Sequence, residues 1–146
     1  MLSQGDQGEA LAVAWLMSRG NPIFLPIGNP PNYDVVAEID GRLAGVQVKT
    51  TRVFRNDRWV VTLATRGGNQ SWNGLVKRFS ADRCDYLYVH TACGRQWFIP
   101  SADVEAGAGI CLGGPKYAEY EVDPGLSLTL SSAARRGTEA VKRGGL

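Results

Sequence analysis

The sequence predicts an α/β (α+β) fold, a central mixed β-sheet flanked by helices, and three observations predict it. One segment of helical length opens the chain, short strand-like runs separated by Gly, Pro and Asn fill most of the rest, and a hairpin signal stands at Asp40-Gly41. The order helix, strand, hairpin, strand, helix, strand implies helices packed on a mixed sheet. At 146 residues the chain fits one domain with a real core.

Gln4 to Arg19 reads as a helix. Leu11, Val13, Leu16 and Met17 supply apolar positions, and Gly20 stops it. Ile23 to Ile27 is a short strand, and Gly28 to Asn32 is a loop by composition. Tyr33 to Ile39 alternates as a strand, Asp40-Gly41 turns it, and Arg42 to Thr50 returns. After a polar stretch comes a strand from Trp59 to Thr65, a Gly-rich loop, and a short helix from Ser71 to Phe79. Asp85 to His90 and Gln96 to Pro100 form a strand pair, Ser101 to Val104 a helical turn, and Lys116 to Val122 a last strand. Beyond Pro124 the pattern fades.

A hydrophobic fraction of 44% and a charged fraction of 21% are those of ordinary globular domains. No apolar run approaches the ~18 to 20 residues that cross a bilayer. The N-terminus, with Ser3, Gln4, Asp6 and Glu9, lacks the pattern of a signal peptide, so the expected location is cytoplasmic. Cys84, Cys93 and Cys111 are odd in number and lack C-x-x-C spacing, which argues against a disulfide framework or structural zinc. The single histidine, His90, sits in the apolar run Tyr86-Leu87-Tyr88-Val89 and reads as a strand residue, not a catalyst.

The net charge of +2 is unevenly spread. From Arg42 to Arg83 nine Lys or Arg face two acids, a net +7 over 42 residues, and the tail Ser131 to Leu146 adds four bases against Glu139. Concentrated positive charge in a near-neutral whole suits a face for a polyanion.

The hairpin carries the sharpest inference. With Asp40-Gly41 as a two-residue turn, Ile39 pairs with Arg42, and Asp34 falls opposite Gln47. Opposed residues share a sheet face with Cβ atoms about 4.5–5.5 Å apart. Lys49, two residues on, points to the same side. Glu9 joins from the helix, on a stripe through positions 9, 13, 16 and 20 that places a carboxylate where a core residue is expected. Such a group needs compensation by a cation or a metal.

Gly8-Glu9 on the first helix, Tyr33-Asp34 opening a strand and Gln47-Val48-Lys49 on the next resemble the PD-(D/E)XK nuclease superfamily. With glutamine before x-Lys, the pattern is most similar to the intron-encoded PD-(D/E)XK homing endonucleases, and the layout is also similar to archaeal Holliday junction resolvases. The resemblance runs from about Gln4 to Pro100, including Val46-Gln47-Val48-Lys49-Thr50-Thr51 and Trp97-Phe98-Ile99-Pro100. Tyr33 stands where the motif name has proline, and Gln47 replaces an acidic ligand. An amide oxygen still coordinates a hard cation, with less charge and weaker binding.

The resemblance implies a restriction-endonuclease-like domain, expected over residues 1–130, and the composition beyond it reads as a flexible basic tail at 131–146. It implies one Mg²⁺, with Mn²⁺ as a plausible substitute, held by Glu9, Asp34, the Gln47 amide oxygen and the Val48 carbonyl. Lys49 would orient the attacking water, and hydrolysis of double-stranded DNA would leave 5′-phosphate and 3′-hydroxyl ends. Arg52, Arg55, Arg58, Lys77 and Arg78 suit phosphate contacts; Arg66, Asn69, Gln70 and Asn73 suit base edges. Trp59 and Trp72 read as core. Cutting two strands calls for a homodimer or homotetramer, and the homing relatives imply the tetramer. A branched-DNA resolvase, a non-catalytic DNA-binding module and a protein-interaction domain remain open.

Overall fold

A computed structural model describes residues 3–28, 30, 32–66, 76–77, 83–105 and 107–123. The elements are α1 (Gln4–Ser18), β1 (Ile23–Phe24), β2 (Val35–Ile39), β3 (Arg42–Thr51), β4 (Phe54–Arg55), β5 (Arg58–Thr62), β6 (Thr65–Arg66) and β7 (Val76–Lys77). They continue with β8 (Tyr86–Thr91), β9 (Gln96–Pro100), a 3-10 turn (Ser101–Asp103), β10 (Gly109–Leu112), a second 3-10 turn (Ala118–Tyr120) and β11 (Glu121–Val122).

The central sheet has six strands in the order β1-β2-β3-β8-β9-β11. Only β3 and β8 run parallel; every other neighbouring pair is antiparallel. The fold is therefore the mixed-sheet α+β domain expected.

Both ends of α1 are fixed by local chemistry. The Ser3 hydroxyl accepts the Asp6 N–H at 3.1 Å while the Asp6 carboxylate accepts the Ser3 N–H at 3.1 Å, a capping box. At the other end Gly20, at φ +87°, donates to Met17 O and Asn21 donates to Leu16 O, a Schellman closure. Gly8, Ala12, Trp15 and Leu16 form the buried stripe. It is displaced from the expected 9-13-16-20 stripe because the bulky Trp15 turns inward against Tyr88 and Phe98. Glu9 rides on its flank, half-buried.

Each face of the sheet has its own core. Ala12, Trp15 and Leu16 of α1 pack on Val35, Ala37, Val46 and Tyr88. On the other face Leu87, Val89, Trp97 and Ile99 meet Val61, Leu63, Ile110 and Leu112. The layer there is a three-stranded sheet, β10-β5-β4. Among the described residues α1 is the sole α-helix flanking the sheet, and the second face is covered by strands.

Further departures have local causes. The polar stretch before Trp59 is a hairpin, β4 to β5, turning on Asn56 and Asp57 at φ +51° and +60°, the left-handed pair of a type I′ turn. The strand expected from Trp59 to Thr65 ends at Thr62, because the Leu63 and Ala64 N–H groups both turn to Ala108 O. Val76–Lys77 is a strand paired with Thr65–Arg66, not part of a helix from Ser71 to Phe79; the remainder of that segment lies outside the described residues. Lys116 to Val122 keeps only Glu121–Val122 as strand, since Tyr117 sits at φ +66° and starts a 3-10 turn. The Gly67–Gln70 loop and the 131–146 tail also lie outside the described residues. None of the described helices is long and apolar enough to cross a membrane.

Candidate active site

The β2–β3 hairpin sets the register. Asp40 and Gly41 adopt φ +52° and +77°, a type I′ turn that matches strand twist, and Ile39 pairs with Arg42. Pairing continues to Val35 opposite Val46, where β2 begins. Just before it, the Asp34 N–H donates to Val46 O at 2.8 Å. Tyr33 anchors the approach by laying its ring on Gly45, where an added Cβ would stand 3.3 Å from it.

Past that point, among the described residues, β3 has no strand partner on the β2 side. The Val48 N–H on this free edge donates to Asp34 Oδ2 at 2.8 Å. A strand residue sends its N–H and C=O to the same edge, so the Val48 carbonyl faces the same gap. Gln47 Nε2 makes a long 3.5 Å contact to the same Asp34 oxygen. This is the acid–amide juxtaposition that the register predicts.

Gln47 and Lys49 are register partners of Leu87 and Val89, residues of the strand-covered core, whereas Val46 and Val48 pack toward α1. Glu9 therefore arrives from the opposite layer. It reaches Asp34 around the free edge, close enough for the two carboxyl groups to repel each other. Gly8 permits this approach: a Cβ there would lie 2.5 Å from Thr50 Cγ2.

The electrostatics follow from crowding two acids and one base at a partly buried edge. Burial lifts the Glu9 carboxyl above its ordinary range, with Asp34 and then Asp6 adding repulsion. Burial pushes the Lys49 ammonium below its ordinary value, against the pull of Asp34 and of Cys84. Cys84, buried two residues before β8 with its sulfur 3.3 Å from Ser101 Oγ, is a neighbour that the sequence pattern did not reveal. Burial pushes its thiol up, which suits an inert wall and not a nucleophile.

These residues fit a hard divalent cation. Two mutually repelling carboxylates, an amide and a strand-edge carbonyl offer only oxygen donors, the preference of Mg²⁺. Asp34 Oδ2 is engaged by Val48 N–H, leaving Oδ1 for an ion. Gln47 would present Oε1 after rotation of its amide, whose two ends are interchangeable in shape. Among the described residues there is no cluster of three or more His, Cys, Asp or Glu, so the anionic part of the set is Glu9 and Asp34 alone.

The candidate DNA contacts are dispersed. Arg52 and Arg55 are exposed, at the end of β3 and on β4. Arg55 pairs with Arg58 across the Asn56-Asp57 turn. Arg58 donates to Asp57 O at 2.9 Å and lies against Gly114, lining a cavity with Glu105 and Lys116. Arg66 and Lys77 stand on β6 and β7; Asn69, Gln70, Trp72, Asn73 and Arg78 lie outside the described residues. Trp59 packs against the second core, as expected of a structural tryptophan. His90 is on strand β8, again as expected.

A helix carboxylate thus meets an Asp/Gln/Lys hairpin at an open strand edge. The chain belongs to the PD-(D/E)XK endonuclease family, whose sequence model matches residues 2–108. Among solved structures it is similar to a bacterial homing endonuclease, I-Ssp6803I, with a TM-score of 0.65 and 19% identity over 92% of this chain and 95% of that one. That likeness is one of fold. No curated protein matches the chain in sequence.

Proposed function

We propose that the protein is a Mg²⁺-dependent endonuclease that hydrolyses phosphodiester bonds of double-stranded DNA, with Mn²⁺ able to substitute. The observation that carries this reading is the meeting of Glu9, Asp34, Gln47 and Lys49 at the free edge of β3.

Glu9, Asp34, Gln47 Oε1 and the Val48 carbonyl would hold the ion. When bound, it supplies Lewis acidity, acidifying a water and neutralising charge on the phosphoryl oxygens. Asp34 is held in place by the Val48 N–H, so its free oxygen keeps one orientation. Lys49, on the same strand face as Gln47, donates from Nζ to a phosphate oxygen and orients the attacking water. Its desolvated ammonium costs little reorganisation to aim at new negative charge.

The same reading carries residues 1–130 as the catalytic domain, 131–146 as a basic tail, a homodimer or homotetramer for cutting both strands, and a cytoplasmic site of action. The likeness in fold to a homing endonuclease favours a site-specific homing-type enzyme. A branched-DNA resolvase is the runner-up within the same chemistry. The neutral Gln47, which leaves two carboxylates, favours a third reading, a non-catalytic DNA-binding module.

The test is incubation with Mg²⁺ and a pool of linear, supercoiled and four-way-junction DNA, beside K49A and D34A. Cleavage abolished in both variants supports the enzyme. Salt-sensitive binding without cleavage by the unaltered protein leaves the binding module.

A further inference from the structure

A cavity of about 360 Å³ opens where β3 and β8 end side by side, on the α1 side of the sheet. Its walls are Gln4, Gln7, Gly8 and Leu11 of α1, residues 50–52 at the end of β3, and residues 90–92 at the end of β8. It abuts the active site through both elements: Gly8 precedes Glu9, and Thr50 follows Lys49 on the opposite strand face.

The chemistry of the walls is one-sided. Among the described residues no carboxylate lines the cavity, while Arg52 brings a fixed positive charge and His90 an imidazole. Thr50 and His90 are register partners, so their side chains stand together on one face. Gln4 Nε2 donates to Thr50 Oγ1 at 2.7 Å, which leaves the hydroxyl hydrogen for another acceptor. A metal would find no anionic ligand here. An anion would find a guanidinium, an imidazole and a hydroxyl. The size, near the low end of ligand pockets at about 300–1,000 Å³, accommodates a phosphate with an attached sugar.

We propose that this cavity seats a backbone phosphate of the DNA strand flanking the scissile one, held by Arg52, His90 and Thr50. The proposal rests on the nuclease reading and deepens it: the scissile phosphate sits at Lys49, and its neighbour along the strand is gripped around the end of β3. Gripping two phosphates fixes the strand's direction across the site, which a single contact cannot do.

The imidazole makes this grip sensitive to pH. Burial holds His90 below the ordinary histidine value, so the ring is neutral at neutral pH. Of the described groups facing it, Gln4, Gln7 and Leu11 of α1 are uncharged, and Arg52 just past β3 is the cation. A phosphate brought beside the ring favours the imidazolium. Binding then takes up a proton, and affinity rises as pH falls through the value of the bound state, levelling off below that of the free state.

His90 is the single histidine of the chain, so its ring signals in an NMR spectrum need no assignment. The full-length protein is titrated with pH, with Mg²⁺ withheld, alone and with a saturating duplex of arbitrary sequence. The expected result is a rise in the His90 midpoint by about one unit. In parallel, the slope of log affinity against log salt is measured. It is expected to fall by about 0.9 in R52Q, and by a similar amount in H90Q at acidic but not alkaline pH. A general field from the polyanion would move the midpoint but leave the H90Q slope unchanged. An unmoved His90 midpoint on a protein that binds DNA, or unchanged slopes in both variants, overturns the subsite. Failure of the unaltered protein to bind the duplex at low salt overturns the nuclease reading itself.

Discussion

Asp34 accepts the Val48 N–H at 2.8 Å across the gap where β2 has yet to begin. That bond joins the fold to the site: the carboxylate completes the strand ladder and also presents a charged oxygen at the edge. Replacing Asp34 by Asn keeps an acceptor for Val48 and removes the charge. D34N is expected to fold with an unchanged circular dichroism spectrum and a thermal midpoint close to that of the parent. Its Mg²⁺-dependent cleavage rate is expected to fall by at least ~100-fold, the scale of losing a preorganised electrostatic group. D34A, which leaves Val48 N–H unpaired, should also lose about 1–3 kcal/mol of stability by denaturant unfolding. A D34N enzyme with full activity would remove Asp34 from the metal site.

That pairing was readable from sequence because the Asp40-Gly41 turn fixes every later pairing by counting. The position of Glu9 was only half readable. Helical spacing brought it inward, but its arrival from the layer opposite Gln47 and Lys49 depends on Trp15 and Gly8 setting the helix against the sheet. The second sheet was hidden for another reason. Gly109–Leu112 is too short to show a period, and it becomes a strand through pairing with Arg58–Thr62, about fifty residues earlier in the chain. The Asn56-Asp57 hairpin was legible in principle, since both residue types tolerate the left-handed conformation, but polar flanks concealed it.

The Glu9 carboxyl gives the metal-free protein a pH signature. Its folded-state value is raised, so the group's contribution to stability is fully present below its unfolded value and is lost as pH rises through the raised one. Metal-free protein should therefore lose part of its thermal midpoint as pH rises above the ordinary glutamate range. E9Q should flatten that loss and abolish cleavage. Adding Mg²⁺ should restore the midpoint of the parent at neutral pH and do little for E9Q. Calorimetry across the acid-to-neutral range, with and without Mg²⁺, checks all three outcomes.

Lys49 sets the alkaline limit. Burial lowers its value, so its proton is lost at a lower pH than from an exposed lysine. Cleavage is expected to decline as pH rises through that lowered value. In K49R any remaining activity should show no such decline, because a guanidinium keeps its charge. K49A should lose about 100- to 1,000-fold in single-turnover rate. A K49A profile that keeps the parent's alkaline limb would assign the limb to another group.

Gln47 separates weak metal binding from lost catalysis. Q47E would bring a third carboxylate to Glu9 and Asp34, so the metal-free protein should be less stable and Mg²⁺ should bind more tightly, by about ten-fold or more. If a deficit of negative charge at the site limits the parent, Q47E should cleave at lower Mg²⁺ concentrations with a similar maximal rate. Isothermal titration with Mg²⁺, read beside cleavage rates over the same concentrations, distinguishes that outcome from tighter binding without turnover, which would make the amide itself part of the chemistry.

Gly8 tests whether the helix must sit this close. A Cβ at this position would meet Thr50 Cγ2 at 2.5 Å, well inside contact distance. G8A should therefore displace the start of α1 from β3, at a cost of about 1–3 kcal/mol for overpacking. Because Glu9 is the next residue, the displacement should also draw its carboxyl from Asp34 and lower cleavage more than it lowers stability. The companion T50S removes the obstructing methyl and should recover both together in the double variant. Recovery of stability without recovery of cleavage would show that Thr50 acts on the reaction by its own contacts, and not through the seating of Glu9.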